Sequence, residues 1–159
     1  MRHLLIFLML LYTSLSFGQS KSITQFRTKF KENSNMFFYS STLKMLNADN
    51  NPEIADMLKD IEEIRVLNYN KAEQQFSGDE IAGLKASLQD ENFHNIMAVN
   101  EKGNSINLYS REKRGKTIGF VAVVDNRENL VLIDLVGSID VKKFMDLKQK
   151  LDNRQGQEI

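Results

Sequence analysis

The catalytic side chains most often used by enzymes are scarce in this chain. It has no cysteine and two histidines. His3 falls in an N-terminal leader described below, so His94 is the one imidazole left to a mature protein. A zinc or other soft-metal site would need that histidine plus carboxylates, whereas such ions select sets rich in imidazole and thiolate. A Cys–His nucleophilic pair is excluded, and a Ser–His–Asp triad has only His94 to draw on. His94 stands between Phe93 and Asn95 at the start of a strand-like run, with no serine in a nucleophile-elbow context, and reads as a structural or surface residue. The glycines at 78, 83, 103, 115, 119 and 137 make neither a GxGxxG nor a P-loop spacing. The expectation is therefore no catalytic residue, no metal site and no cofactor.

Acidic residues cluster at Asp60 with Glu62 and Glu63, at Asp79–Glu80 and at Asp90–Glu91. A glycoside hydrolase needs two carboxyl groups facing across a cleft. These groups fall instead at helix ends and in loops, where acids are solvated or complement the helix dipole. Residues 48–53 (ADNNPE) are too short for a calcium loop of the EF-hand kind, and Pro52 breaks them.

Three binding features remain. Arg111, Lys113, Arg114 and Lys116 gather around one expected hairpin turn, with Lys102 on a neighbouring link. They suit phosphate or sulfate groups, or simply keep a turn soluble and guard a sheet edge. Asp134 interrupts the apolar run LVLIDLV. If that strand is buried on both faces, the carboxylate needs a partner, and Arg65 is the natural one; otherwise Asp134 lies on a solvent face. Tyr69 and Tyr109 are candidates for aromatic display on a polar sheet face, as binding surfaces use.

These residues must be held by elements that hydrophobic periodicity reveals. Ile23, Phe26 and Phe30 recur at helical spacing, with Ser22 near the cap. Residues 36–39 (MFFY) read as a short strand, and 41–46 as a helical turn or two. Asn51 and Pro52 open a helix, the proline at a first position where its missing N–H costs nothing. Residues 62–69 alternate as a strand. Ser77 and Glu80 have capping-box spacing before a helix bearing Ile81, Leu84 and Leu88. From residue 93 the period becomes two, in runs 93–100, 105–112, 117–125 and 129–137 joined by short turn-like links, the pattern of an antiparallel meander. Asp140 caps a last helix carrying Val141, Phe144, Leu147 and Leu151, and a polar tail follows from 152. The expected fold is α+β: an antiparallel sheet of about five strands, four of them the C-terminal meander, with helices on one face. The other face should carry polar residues such as Asn107, Tyr109 and Arg111.

The N-terminus has its own pattern. Arg2 and His3 precede the apolar run 4–11 (LLIFLMLL), and Ser16 and Gly18 are small residues two apart. This is the layout of a secretory signal peptide cut between Gly18 and Gln19. The run is about half the ~18 apolar residues a membrane span requires. Removing 18 of the 159 residues leaves 141, with 20 basic and 21 acidic side chains, and a single domain is expected over 19–151. Near-neutral charge gives no bulk attraction to nucleic acid or to an anionic membrane, and no second run is long enough to span a bilayer. The expected location is the periplasm or the exterior, and with no cysteine there is no lipid anchor of the lipoprotein kind.

The leader, the aromatic-serine stretch FFYSS (37–41), the EIRVLNY strand (63–69), the meander and the DLVGSID segment (134–140) resemble a family of small exported proteins of Bacteroidota-type bacteria, a domain of unknown function. The resemblance spans roughly residues 22–151. It implies no activity and no functional residues; members of that family often sit beside regulators of the extracytoplasmic-stress type, so the resemblance implies an envelope role. The reading that follows is a non-enzymatic envelope protein that binds a protein or envelope component through its sheet face or edge. The alternatives are a carboxylate-based polysaccharide hydrolase and a carrier of a small apolar ligand.

Overall fold

A computed structural model describes residues 19–139 apart from Leu46 and Phe76. The expected leader, the expected last helix and the polar tail lie outside the described residues. Helix α1 (Lys21–Lys29) leads into strand β1 (Ser34–Tyr39) and two short helices, α2 (Ser40–Met45) and α3 (Pro52–Leu58). Strand β2 (Ile61–Asn70), the turn-like α4 (Lys71–Gln74) and helix α5 (Gly78–Asp90) follow. The meander is β3 (Phe93–Glu101), β4 (Asn104–Lys113), β5 (Lys116–Asp125) and β6 (Asn129–Gly137).

The six strands form one sheet in the order β1-β2-β6-β5-β4-β3, every neighbouring pair antiparallel. The α+β fold is as expected, with β1 as a sixth strand. The β6 strand closes the meander and also pairs with β2, so both halves of the chain share one ladder. Edges fall at β1 and β3.

Local chemistry sets the element ends. The Asn51 side chain accepts from the N–H of Glu53 at 2.8 Å and of Ile54 at 3.4 Å, with Pro52 inside the first turn. The Glu80 carboxylate accepts from the Ser77 N–H at 2.8 Å and closes the capping box on α5. The cap of α1 is Ser20 rather than Ser22: its Oγ accepts from the Ile23 N–H at 3.2 Å.

Residues paired across antiparallel strands point to the same face. On the inner face, Tyr69, Leu67, Leu132, Leu130, Val121, Val123 and Tyr109 pack beneath Ile23 and Phe26 of α1 and Ile81, Leu84 and Leu88 of α5. The outer face is also apolar. At one corner Phe38, Ile64, Leu135 and Phe120 pack with Leu43 of α2, Leu58 of α3 and Ile139. Helices therefore lie on both faces, the longer two on the inner one. Next to that corner the row Met36–Val66–Ile133–Ala122–Leu108–Met97 crosses all six strands, half-buried at its centre and exposed at both ends.

Candidate functional site

Two regions hold the side chains with functional potential. The first is a charged cluster inside the sheet. Asp134 and Arg65 are direct cross-strand partners on β6 and β2, 1% and 4% exposed. The Arg65 guanidinium donates to Asp134 Oδ2, and the same oxygen accepts from the Ser20 N–H at 3.3 Å. Arg65 Nε lies 3.8 Å from Glu63 Oε1. Asp134 Oδ1 and Arg65 Nε are buried without a hydrogen-bond partner among the described residues. Burial pushes the Asp134 carboxyl above the ordinary range, against the opposing pull of Arg65.

A second carboxylate meets the same helix end. Glu91, just beyond α5, accepts from the Lys21 N–H at 2.9 Å and from both the N–H and the hydroxyl of Ser22. Arg111 approaches Glu91 at 3.8 Å, and its guanidinium lies over the Phe93 ring, 4.7 Å from the centroid. The start of α1, where N–H groups lack intrahelical partners, is thus held by Asp134 and Glu91, and each carboxylate has its own arginine.

This arrangement reassigns several residues. Asp134 takes the buried alternative with Arg65 as partner. Arg111 turns inward, away from Lys113, Arg114 and Lys116, which stay exposed at the β4–β5 turn. Lys102 lies at the other end of β4, about 30 Å away at ~3.4 Å per residue, so the expected basic cluster shrinks to three side chains at one tip. Tyr69 and Tyr109 are not displayed. Both are buried beneath the helices, which raises their hydroxyl pKa values, and Tyr69 meets Phe26 edge-on with ring centroids 5.5 Å apart. Asn107, Tyr109 and Arg111 belong to the inner face, because the alternate residues Ile106 and Leu108 supply the apolar outer one.

The second region is the β3 edge. Ile96, Met97 and Val99 are 47%, 45% and 43% exposed. A bulge at Ile96 separates the Asn95–Tyr109 pair from the Met97–Leu108 pair. The strand contains no lysine, arginine or proline, the residues with which edge strands are commonly blunted. Val99 stands in line with Ile106, Val124 and Val131 on the outer face. Sequence reasoning placed β3 correctly and missed its exposure, since nothing in residues 93–100 says that the strand ends the sheet.

An open groove of about 360 Å³ runs between α1 and α5. Its α1 wall is Ser22, Gln25, Phe26, Lys29 and Phe30, without an acid; Asp79 and Glu80 stand on the α5 wall alone. Among the described residues no carboxylates face each other across it. Among the described residues no three His, Asp or Glu side chains converge as a metal site requires, and no helix is long and apolar enough to cross a membrane.

Among the described residues the geometry defines an α+β protein with one antiparallel sheet, a buried charge cluster and an edge strand, β3, with exposed apolar side chains. The chain belongs to the family of the domain of unknown function DUF4252, which it matches over residues 18–147. No curated protein and no solved structure matches it.

Proposed function

We propose that this is a non-catalytic, exported envelope protein that binds another protein by adding one of its extended segments, alternately apolar, to β3 as a seventh strand. The observation that carries the reading is the β3 edge, which presents unpaired backbone and three exposed apolar side chains in continuity with the apolar outer face. Strand addition uses those two assets: main-chain hydrogen bonds supply affinity and pockets for alternate side chains supply specificity. Met97 and Val99 point to one face and offer the apolar contacts, while His94 and Asn100 flank them. The leader pattern at residues 2–18 supports export, and the 9-residue length of β3 suits a partner strand of ordinary size.

Site-directed photo-cross-linking in the native envelope tests this. A photoreactive side chain at Val99 or Ile96 should give a discrete adduct with one extended, alternately apolar peptide, and the same group at Gln89 on α5 or at Arg114 should not. Met97→Lys should abolish the β3 adduct. Equal yields from all positions, or an adduct with lipid or with a second copy of this chain, would overturn the proposal.

A further inference from the structure

We propose that cleavage after Gly18 creates a specific ion pair: the new α-ammonium of Gln19 seats between the carboxylates of Asp134 and Glu63 and completes the charge cluster that holds the start of α1. The proposal rests on the export reading, because it needs that bond to be cut.

The first argument is position. Gln19 is already bracketed by the two acids. The next backbone N–H, that of Ser20, donates to Asp134 at 3.3 Å, and the Gln19 side-chain amide donates to Glu63 at 3.3 Å. The α-nitrogen of Gln19 lies one residue from the Ser20 nitrogen, within about 3.8 Å of chain. Ser20 is fully buried, so the path of the chain is fixed where it enters the cluster.

The second argument is charge. Asp134, Glu63 and Glu91 bring three carboxylates, and Arg65 and Arg111 bring two guanidinium groups. One positive charge is missing from the set. Asp134 Oδ1, on a side chain 1% exposed, has no hydrogen-bond donor among the described residues. A buried acceptor left without a donor costs more than a typical hydrogen bond gains, and an ammonium supplies three donors and the absent charge. An uncleaved chain carries a neutral peptide N–H at that nitrogen instead.

Three versions of the mature protein with defined N-termini test this by thermal unfolding. The first begins with free Gln19. The second has the pyroglutamyl end formed when the α-amine attacks the side-chain amide carbon and ammonia leaves. The third carries one extra glycine before Gln19. The free-amine form should melt higher than either other form by at least about 3 °C, a resolvable shift for a domain of this size. Its α-amine should titrate above the usual range of about 7.7–8.0, and both effects should shrink in Glu63→Gln, a variant at the rim of the cluster. Asp134→Asn repeats the test at the centre if it folds. Equal midpoints, or an ordinary α-amine pKa, overturn the ion pair wherever the leader is cut. The N-terminal mass of the exported protein reports the cut separately: a start at Gln19 supports the proposal, and any other start overturns its natural occurrence together with the expected cleavage site.

Discussion

Arg65 and Asp134 face each other across the β2–β6 ladder, and their charges meet beneath the start of α1. The pair joins an early strand to the last strand of the sheet, and through Ser20 it joins both to the first described helix. Removing one partner leaves a buried charge uncompensated. Asp134→Ala is therefore expected to lower unfolding free energy by roughly 3–5 kcal/mol. The double variant Arg65→Met/Asp134→Leu should regain most of that loss, because apolar side chains of similar volume need no compensation. Urea denaturation of the two singles and the double measures both effects; additive losses would show that the two residues do not act as a pair.

The pH dependence has a defined sign. Burial raises the Asp134 pKa in the folded state above its value of about 3.8 in the unfolded chain. Its contribution is fully present below the unfolded pKa and is lost as pH rises through the elevated folded pKa. Relative to Asp134→Asn, which does not titrate, the wild-type protein should lose its advantage as pH rises above about 4. Denaturant midpoints of the two proteins across that range check it. An advantage that grows with pH would mean that Arg65 outweighs burial.

Helix α1 depends on caps from outside its own sequence. Ser20→Ala and Glu91→Gln are each expected to cost about 0.5–2 kcal/mol, the usual range for lost N-terminal capping. Amide exchange at Lys21–Ile23 should accelerate in both while exchange in β5 stays slow. Uniform acceleration across the sheet would show that the loss is not local to the helix.

Gly137 ends β6 with φ +117°, a conformation that L side chains rarely adopt, and a Cβ there would run into the Asp60 carbonyl oxygen. That carbonyl accepts from the Ser138 N–H at 2.9 Å. Gly137→Ala should destabilise by about 1–3 kcal/mol through strain and the shift of this contact, as read by thermal unfolding. No change in midpoint would show that the β2 start can move aside.

Much of this fold is written in local pattern. Alternation marks all four meander strands within a residue or so, and Asn51–Pro52 and Ser77–Glu80 mark two helix starts, because these signals depend only on near neighbours. The facing of β4 is not local. Both halves of its alternation are used, Ile106 and Leu108 on the outer face and Tyr109 on the inner, so periodicity could not say which side the helices cover. Arg111 looked like part of a basic turn because its partners, Glu91 and Phe93, are brought to it by the β3–β4 pairing. Asp134 was legible as an anomaly in an apolar run, and Arg65 as its match. Ser20 and Glu91, which complete the cluster, carry no signal beyond being ordinary polar residues near helix ends.

The central claim is that β3 is a docking edge, and backbone hydrogen exchange tests it most directly. The Phe93–Glu101 amides are to be followed in the chain from Gln19 onward alone and in its complex with the cross-linked partner, with Met97→Lys as the control. Exposed edge amides should slow by at least roughly tenfold on binding, and Met97→Lys should remove the protection while leaving free-protein stability within about 0.5 kcal/mol of wild type. Unchanged β3 exchange in the complex, with protection appearing in the groove between α1 and α5 instead, would contradict it.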